Sequence, residues 1–243
     1  MGASYGSAAE LTLKVKIDIE RCPVMSHSRI QSLPEKLADT LRDHLIAGDF
    51  TPGQKLSEQT LSDHLGVSRN TLREAFRLLT KEGLLQHEAN RGVFVMTPSI
   101  ASIVDIYRVR RVIECGALAM SYPKHPAVLQ MQQSVEIGKS ARDLKNWQQV
   151  GSANMKFHSA IVSLSDSDRL SACYAQTAAQ LRLSFALLDN PEMLYAPYVD
   201  MNAEILEKLE NAQAHQAASK LEAYLNLSER TVLAALARTT SER

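Results

Sequence analysis

Residues 61–85, LSDHLGVSRNTLREAFRLLTKEGLL, constrain this chain more than any other stretch. Leu61 and Leu65 are one helical turn apart and share a face. Gly66 ends that helix where the backbone needs a positive φ that a Cβ would oppose. Val67 returns to apolar surroundings. Ser68 is a good N-cap, because its hydroxyl can accept from the amides that open the next helix. Leu72, Ala75, Phe76, Leu79 and Leu84 then recur at helical spacing, so one face is buried. The first turns show Arg69, Asn70, Thr71 and Arg73 on the other side. A helix start attracts phosphate through its free amides, and these side chains can donate to base edges in a major groove. The stretch therefore reads as a helix-turn-helix whose second helix is a recognition helix. An ordinary helical hairpin with a solvated face would show the same periodicity.

The flanking residues separate the two readings. Residues 86–92 are polar with a turn signal, and Val93-Phe94-Val95-Met96 is a short apolar strand. Together they predict the β-hairpin of a winged helix, with Arg91 and Gly92 at a tip that can enter a minor groove. Upstream, Leu37, Leu41, Leu45 and Ile46 predict an amphipathic helix stopped by Gly48. Residues 49–56 are then a turn leading to a helix capped at Ser57. From Ser32 to Thr97 the order of glycines, caps, arginines and apolar positions resembles the N-terminal domain of the GntR family of bacterial transcription regulators. The resemblance implies DNA contact through Gln59, Ser68, Arg69, Asn70, Thr71, Arg73, Arg91 and Gly92. Arg69 and Arg73 are expected to carry most of it, with Asn70 and Gln59 setting specificity.

Composition bounds the rest. At 243 residues the chain has room for two small domains, and 5% aromatic with 22% charged residues is ordinary for a folded chain. No apolar run approaches the roughly 20 residues of a membrane helix, and no signal-peptide pattern opens the sequence. Cys22, Cys115 and Cys173 lie far apart without metal or redox spacing, which fits free thiols in a reducing cytoplasm. The 27 basic residues are matched by 27 acidic ones, so DNA affinity must come from where arginines stand and not from bulk charge.

The expected architecture is mainly α: a winged helix-turn-helix domain at 30–97 and an all-α bundle at 103–238, joined by a linker at 98–102. Residues 1–29 form an extension in which Leu11, Leu13, Val15, Ile17 and Ile19 alternate like a strand. Past the linker, helices are predicted over 103–120, 126–142, 147–164, 170–188, 197–209 and 213–237. This half resembles the FadR-type C-terminal domain of one GntR subfamily, a ligand-sensing and dimerising module. Tyr107 to Glu114, the Asn154-Met155-Lys156-Phe157-His158 run and the spacing of the last two helices carry the likeness.

Many domains of that type hold a divalent metal with an Asp and a His four apart plus one His from each of the last two helices. The matching positions here are Asn154, His158, Asn202 and Tyr224. Only His158 is a competent ligand, since an amide is a weak donor and a phenol with a pKa of about 10 stays protonated. The expectation is therefore no metal and no cofactor. Instead these four residues, with Arg110 or Arg182 pairing an acid group, would bind a small organic effector. Alternatives are a metal-dependent sensor with an atypical site, or a constitutive DNA-binding dimer in which the polar groups satisfy one another. No catalytic motif is present. The chain is thus expected to be a cytoplasmic, homodimeric, non-enzymatic regulator of a pseudo-palindromic operator, acting as a repressor.

Overall fold

The computed structural model describes residues 31–187 and 191–241. The alternating segment at 11–19 lies outside them. Helix α1 (Leu33–Ala47) buries Leu37, Ala38, Leu41 and Leu45 and ends at Gly48, whose φ of 86° is the left-handed C-cap that its position predicts. After it come β1 (Lys55–Leu56), α2 (Glu58–Leu65) and α3 (Arg69–Lys81). Gly66 caps α2 at φ 64°, and Ser68 opens α3. Leu72, Ala75, Phe76 and Leu79 are fully buried along the inner side of α3.

Strands β2 (Leu85–Glu88) and β3 (Gly92–Val95) form the expected hairpin. The sheet order is β1-β3-β2, all antiparallel, with Lys55 opposite Phe94 and Leu85 opposite Val95. Strand β1 is two residues long, too short to show a period, and sequence reading takes it for part of a turn. On β3, Val93 and Val95 face the core while Phe94 lies on the other side.

The helical half comprises α4 (Ile100–Ala119), α5 (Pro126–Asp143), α6 (Trp147–Ser163), α7 (Asp168–Phe185), α8 (Pro191–Glu210) and α9 (Ala214–Ser241). Ser99 caps α4, so most of the expected linker at 98–102 is already helix. Helix α8 also begins earlier than predicted. Pro191 takes the first-turn position, where a missing N–H costs nothing, and Pro197 is accommodated inside the helix.

Helix α6 is the axis of the bundle. It packs against α4, α5, α7 and α8, and Val150, Ala153, Met155, Phe157, Ala160, Ile161 and Val162 are buried over most of its surface. Only a narrow stripe through Gln149, Ser152, Lys156 and Ser159 reaches solvent, and the polar residues Asn154 and His158 lie off it, so they must find partners inside. Helix α1 packs on α7 and touches α6, which joins the winged helix to the bundle. No helix among the described residues is long and apolar enough to cross a membrane.

Candidate nucleic-acid interface and effector cluster

At the start of α3 the Ser68 hydroxyl accepts from the Thr71 amide at 3.1 Å and bonds the Thr71 hydroxyl at 2.8 Å. Both side chains are thereby occupied in the cap. Arg69, Asn70 and Arg73 project from the same turns and are exposed. Arg73 is held: its Nε donates to Glu58 at 2.8 Å, tying α3 to the first turn of α2. Gln59, next along, donates to Asp63 at 2.6 Å. On the wing, Arg91 pairs with Glu88 and lies over the Phe94 ring, 5.4 Å from its centroid. Asn90 adopts φ 61° and Gly92 φ 111° to close this tip. Arg69 and Asn70 make no hydrogen bond or ion pair among the described residues. Free amides, an uncommitted arginine and an uncommitted amide side chain at one helix start form a site for phosphate and base edges.

The four positions singled out in the bundle do come together. Asn202 donates to Asn154 Oδ1 at 2.7 Å, and Tyr224 donates to the same oxygen at 3.0 Å. The His158 ring lies against that of Tyr224, 4.8 Å between centroids. His158 Nδ1 is bonded at 2.7 Å to Glu114, which also accepts from Arg110 Nε at 2.6 Å and from the Tyr174 hydroxyl at 2.8 Å. Glu114 and Tyr174 were missed by the sequence reading. The available signal was the four-residue step from Arg110 to Glu114, which puts two charges on the buried stripe of α4, a placement tolerated only for a pair.

Burial alone would raise the Glu114 pKa. The Arg110 guanidinium beside it, and the hydrogen bonds from His158 and Arg110, hold it down at about 2. Burial lowers the His158 pKa, and Arg110 adds to that against the opposing pull of Glu114. The imidazole is therefore neutral. A carboxylate can only accept, so the ring proton sits on Nδ1 and Nε2 is left as a lone pair. Burial also pushes the Tyr224 hydroxyl well above its ordinary pKa, which keeps it a donor.

Three buried atoms of this cluster have no partner among the described residues: Arg110 Nη2, a donor, and His158 Nε2 and Asn202 Oδ1, two acceptors. Beside Asn154 and Asn202 lies a small, partly open cavity of about 10 Å³, walled also by Ser134 and Tyr195. It has room for about one water molecule. The donor set does not fit a divalent metal. Asn154 Oδ1 already accepts twice, Tyr224 keeps its proton, and only His158 Nε2 offers a strong lone pair. Among the described residues no group of three His, Cys, Asp or Glu is placed to hold a metal. Arg182 stands apart and bonds no member of the cluster. It donates to Tyr195, Ala47 and Gln148 instead.

Comparison with known proteins agrees with this fold. Residues 33–95 match the gntR family of bacterial regulatory proteins, and residues 105–227 match the FCD domain. The HTH-type transcriptional repressor RspR of Escherichia coli K12 is 27% identical over 70% of this chain and 78% of its own length. The regulator YdhC of Bacillus subtilis 168 is 28% identical over 54% of this chain, a match that spans 59% of that relative. Among solved structures, a GntR transcriptional regulator from Rhodococcus sp. RHA1 superposes with a TM-score of 0.77 at 35% identity. That match covers 84% of this chain and 99% of the other. E. coli McbR/YncC shares the fold, with a TM-score of 0.72 at 20% identity and coverage of 84% and 98%. A winged helix followed by an FCD helical domain, in this order and with these residues, makes the chain a member of the GntR family of bacterial DNA-binding transcriptional regulators, in its FadR-like branch.

Proposed function

We propose that this regulator is a cytoplasmic repressor that binds a pseudo-palindromic operator as a homodimer and is released by a small organic acid bound without metal. The exposed start of α3, with Arg69 and Asn70 uncommitted, carries the DNA part of this reading. The repressor role is supported by the name of the E. coli relative. Dimerisation has a candidate surface on α4, where Asp105, Arg108 and Val112 are exposed at helical spacing and Val112 is 77% exposed. Gly116 continues this stripe. A Cβ there would meet nothing within 4 Å in the chain, so no intramolecular contact calls for glycine at a position where alanine makes the better helix. Close approach of a second copy would call for it. Light scattering on the purified protein should give twice the chain mass at micromolar concentration, and a monomer there would remove the dimer.

For the effector, the three unpartnered atoms supply the argument. A carboxylate can accept from Arg110 Nη2, and a hydroxyl can donate to His158 Nε2 or Asn202 Oδ1. A small hydroxy acid offers one of each. The observed cavity admits no such molecule, so entry must part α6 from α8 and α9, and the ligand stabilises the parted state. The small size of that cavity, with Asn154 satisfied by Asn202 and Tyr224, favours a second reading in which the domain senses nothing. A thermal-shift screen of hydroxy acids, matched acids lacking the hydroxyl, and divalent metals with and without chelator distinguishes the two. The expected result is a shift with hydroxy acids that survives chelation and coincides with operator release. Stoichiometric zinc, nickel or manganese in the purified protein would overturn the metal-free site. No shift with any acid would leave the effector-free reading standing.

A further inference from the structure

The winged helix is held to the bundle mainly by side chains of α7, with Ser152 on α6 also donating to the Ala47 carbonyl at 3.3 Å. Gln176 and Gln180 on α7 donate to the Glu82 carbonyl, the C-cap of the recognition helix, at 2.9 and 2.7 Å. Arg182, on the same helix, sends Nη2 to the Ala47 carbonyl at the end of α1 and to the Gln148 carbonyl on α6, at 3.3 and 3.4 Å. Its Nη1 donates to the Tyr195 hydroxyl on α8 at 2.8 Å. Arg182 is only 5% exposed, yet no carboxylate among the described residues pairs with it. Its charge is set instead against the carbonyl end of α1, where the helix dipole is negative.

The guanidinium occupies a fitted slot. A Cβ at Gly48 would stand 2.7 Å from Nη2, and one at Gly151 would collide with Nη1 and the Tyr195 ring. Gly48 is required anyway by its positive φ. Gly151 is not: it lies inside the buried helix α6, where alanine is preferred on backbone grounds. Space for Arg182 is what that glycine provides.

We infer that Arg182 is a positioning residue for operator binding: it fixes the winged helix on the bundle and so sets the separation of the two reading heads. The inference rests on the dimeric reading above. Two heads on one dimer bind two half-sites tightly only if their spacing matches the DNA, because the second contact is then made at high effective concentration. Releasing α1 from Arg182 leaves each head folded but lets it wander. Tyr195, which receives Nη1, also walls the cavity beside Asn154 and Asn202, so a ligand that opens that cavity disturbs this grip first.

The test uses an operator selected by the full-length wild-type protein from a random duplex library. Affinity is measured for the full operator, for a single half-site, and for operators with the half-sites one base pair closer or further apart. Arg182→Ala should lose on the order of 10- to 100-fold on the full operator, keep its half-site affinity and lose its preference for native spacing. Arg182→Lys should behave similarly, since one ammonium cannot span a hydroxyl and two carbonyls. Gly151→Ala evicts the guanidinium while keeping the arginine and should reproduce the effect. Tyr195→Phe removes only the hydroxyl acceptor and serves if Arg182→Ala fails to fold. Unchanged spacing preference in a folded variant dimer would overturn the inference. So would equal losses on half and full sites, which would mean that Arg182 only supports the stability of the head. If the wild type is a monomer, the dimeric reading fails first. Amide exchange across residues 44–49 then tests the grip alone, and exchange unchanged by Arg182→Ala would overturn it.

Discussion

Replacing Glu114 with alanine is expected to destabilise the helical bundle by about 3–5 kcal/mol, the cost of leaving a buried charge without its partner. Among the described residues Glu114 is the only acid bonded to Arg110, and both side chains are buried. Its removal also takes the hydrogen-bond partner of His158 Nδ1 and of the Tyr174 hydroxyl. The loss should appear as a lower urea midpoint with the slope retained, since the native fold still hides the same surface. Glu114→Gln should cost less, because an amide oxygen still accepts, but it leaves Arg110 uncompensated. Removing both charges, as Arg110→Met with Glu114→Leu, should recover most of the loss. A single alanine variant as stable as the wild type would mean that the cluster contributes nothing to folding.

The same group makes the bundle sensitive to acid. The carboxyl titrates at about 2 in the folded chain against an ordinary 4.5, so the stability it contributes is complete above pH 4.5 and is lost as pH falls toward 2. His158 acts in the same direction over a higher range. Its folded pKa lies below 6.5, so under that pH the unfolded chain takes up a proton that the native one excludes. The melting temperature should therefore decline below pH 6.5 and more steeply below 4.5, with the lower phase absent from Glu114→Gln. A curve that is flat from pH 7 to 3 would contradict both assignments.

Arg69→Ala is expected to weaken operator binding by about 1–3 kcal/mol, tenfold or more, and to relax base preference at the position it reads. Arg73→Ala should cost less. Arg69 has no partner among the described residues and would bring its whole contact to the complex, whereas Arg73 must first leave Glu58. Fluorescence anisotropy on the operator and on single-base variants measures both effects. An Arg69→Ala protein that binds the operator as tightly as wild type would remove the start of α3 from the interface.

The parts of this fold legible in the sequence are those governed by neighbours along the chain. Gly48 and Gly66 mark left-handed helix ends, Ser68 marks a cap, and the apolar period of α3 is carried by residues three and four apart. What escapes is set by distant partners. Two residues of β1 become a strand only because Phe94 and Val93 lie opposite them. Pro197 looks like a helix start because nothing local shows that Pro191 already is one. In the bundle, the match to metal positions brought Asn154, His158, Asn202 and Tyr224 into view. Glu114 and Tyr174, which hold the charge together, arrive from α4 and α7 and belong to no local pattern. Arg182 was placed with the effector residues as a cation able to meet an acid. Its actual neighbours come from α1, α6 and α8.

The acids that hold the side chains proposed to meet DNA bear on how the protein would find its site. Arg73 rests on Glu58, Arg91 on Glu88 and Gln59 on Asp63. A phosphate that recruits either arginine replaces an existing ion pair, so few counterions are released in total and the salt slope is shallower than a count of basic contacts suggests. Random DNA therefore gives little net gain, and encounters with it are brief. If these side chains meet DNA as proposed, the protein is expected to sample the chromosome in short separate visits more than in long one-dimensional slides. On the proposed reading, a sequence whose base edges also engage Arg69 and Asn70 would hold it longer.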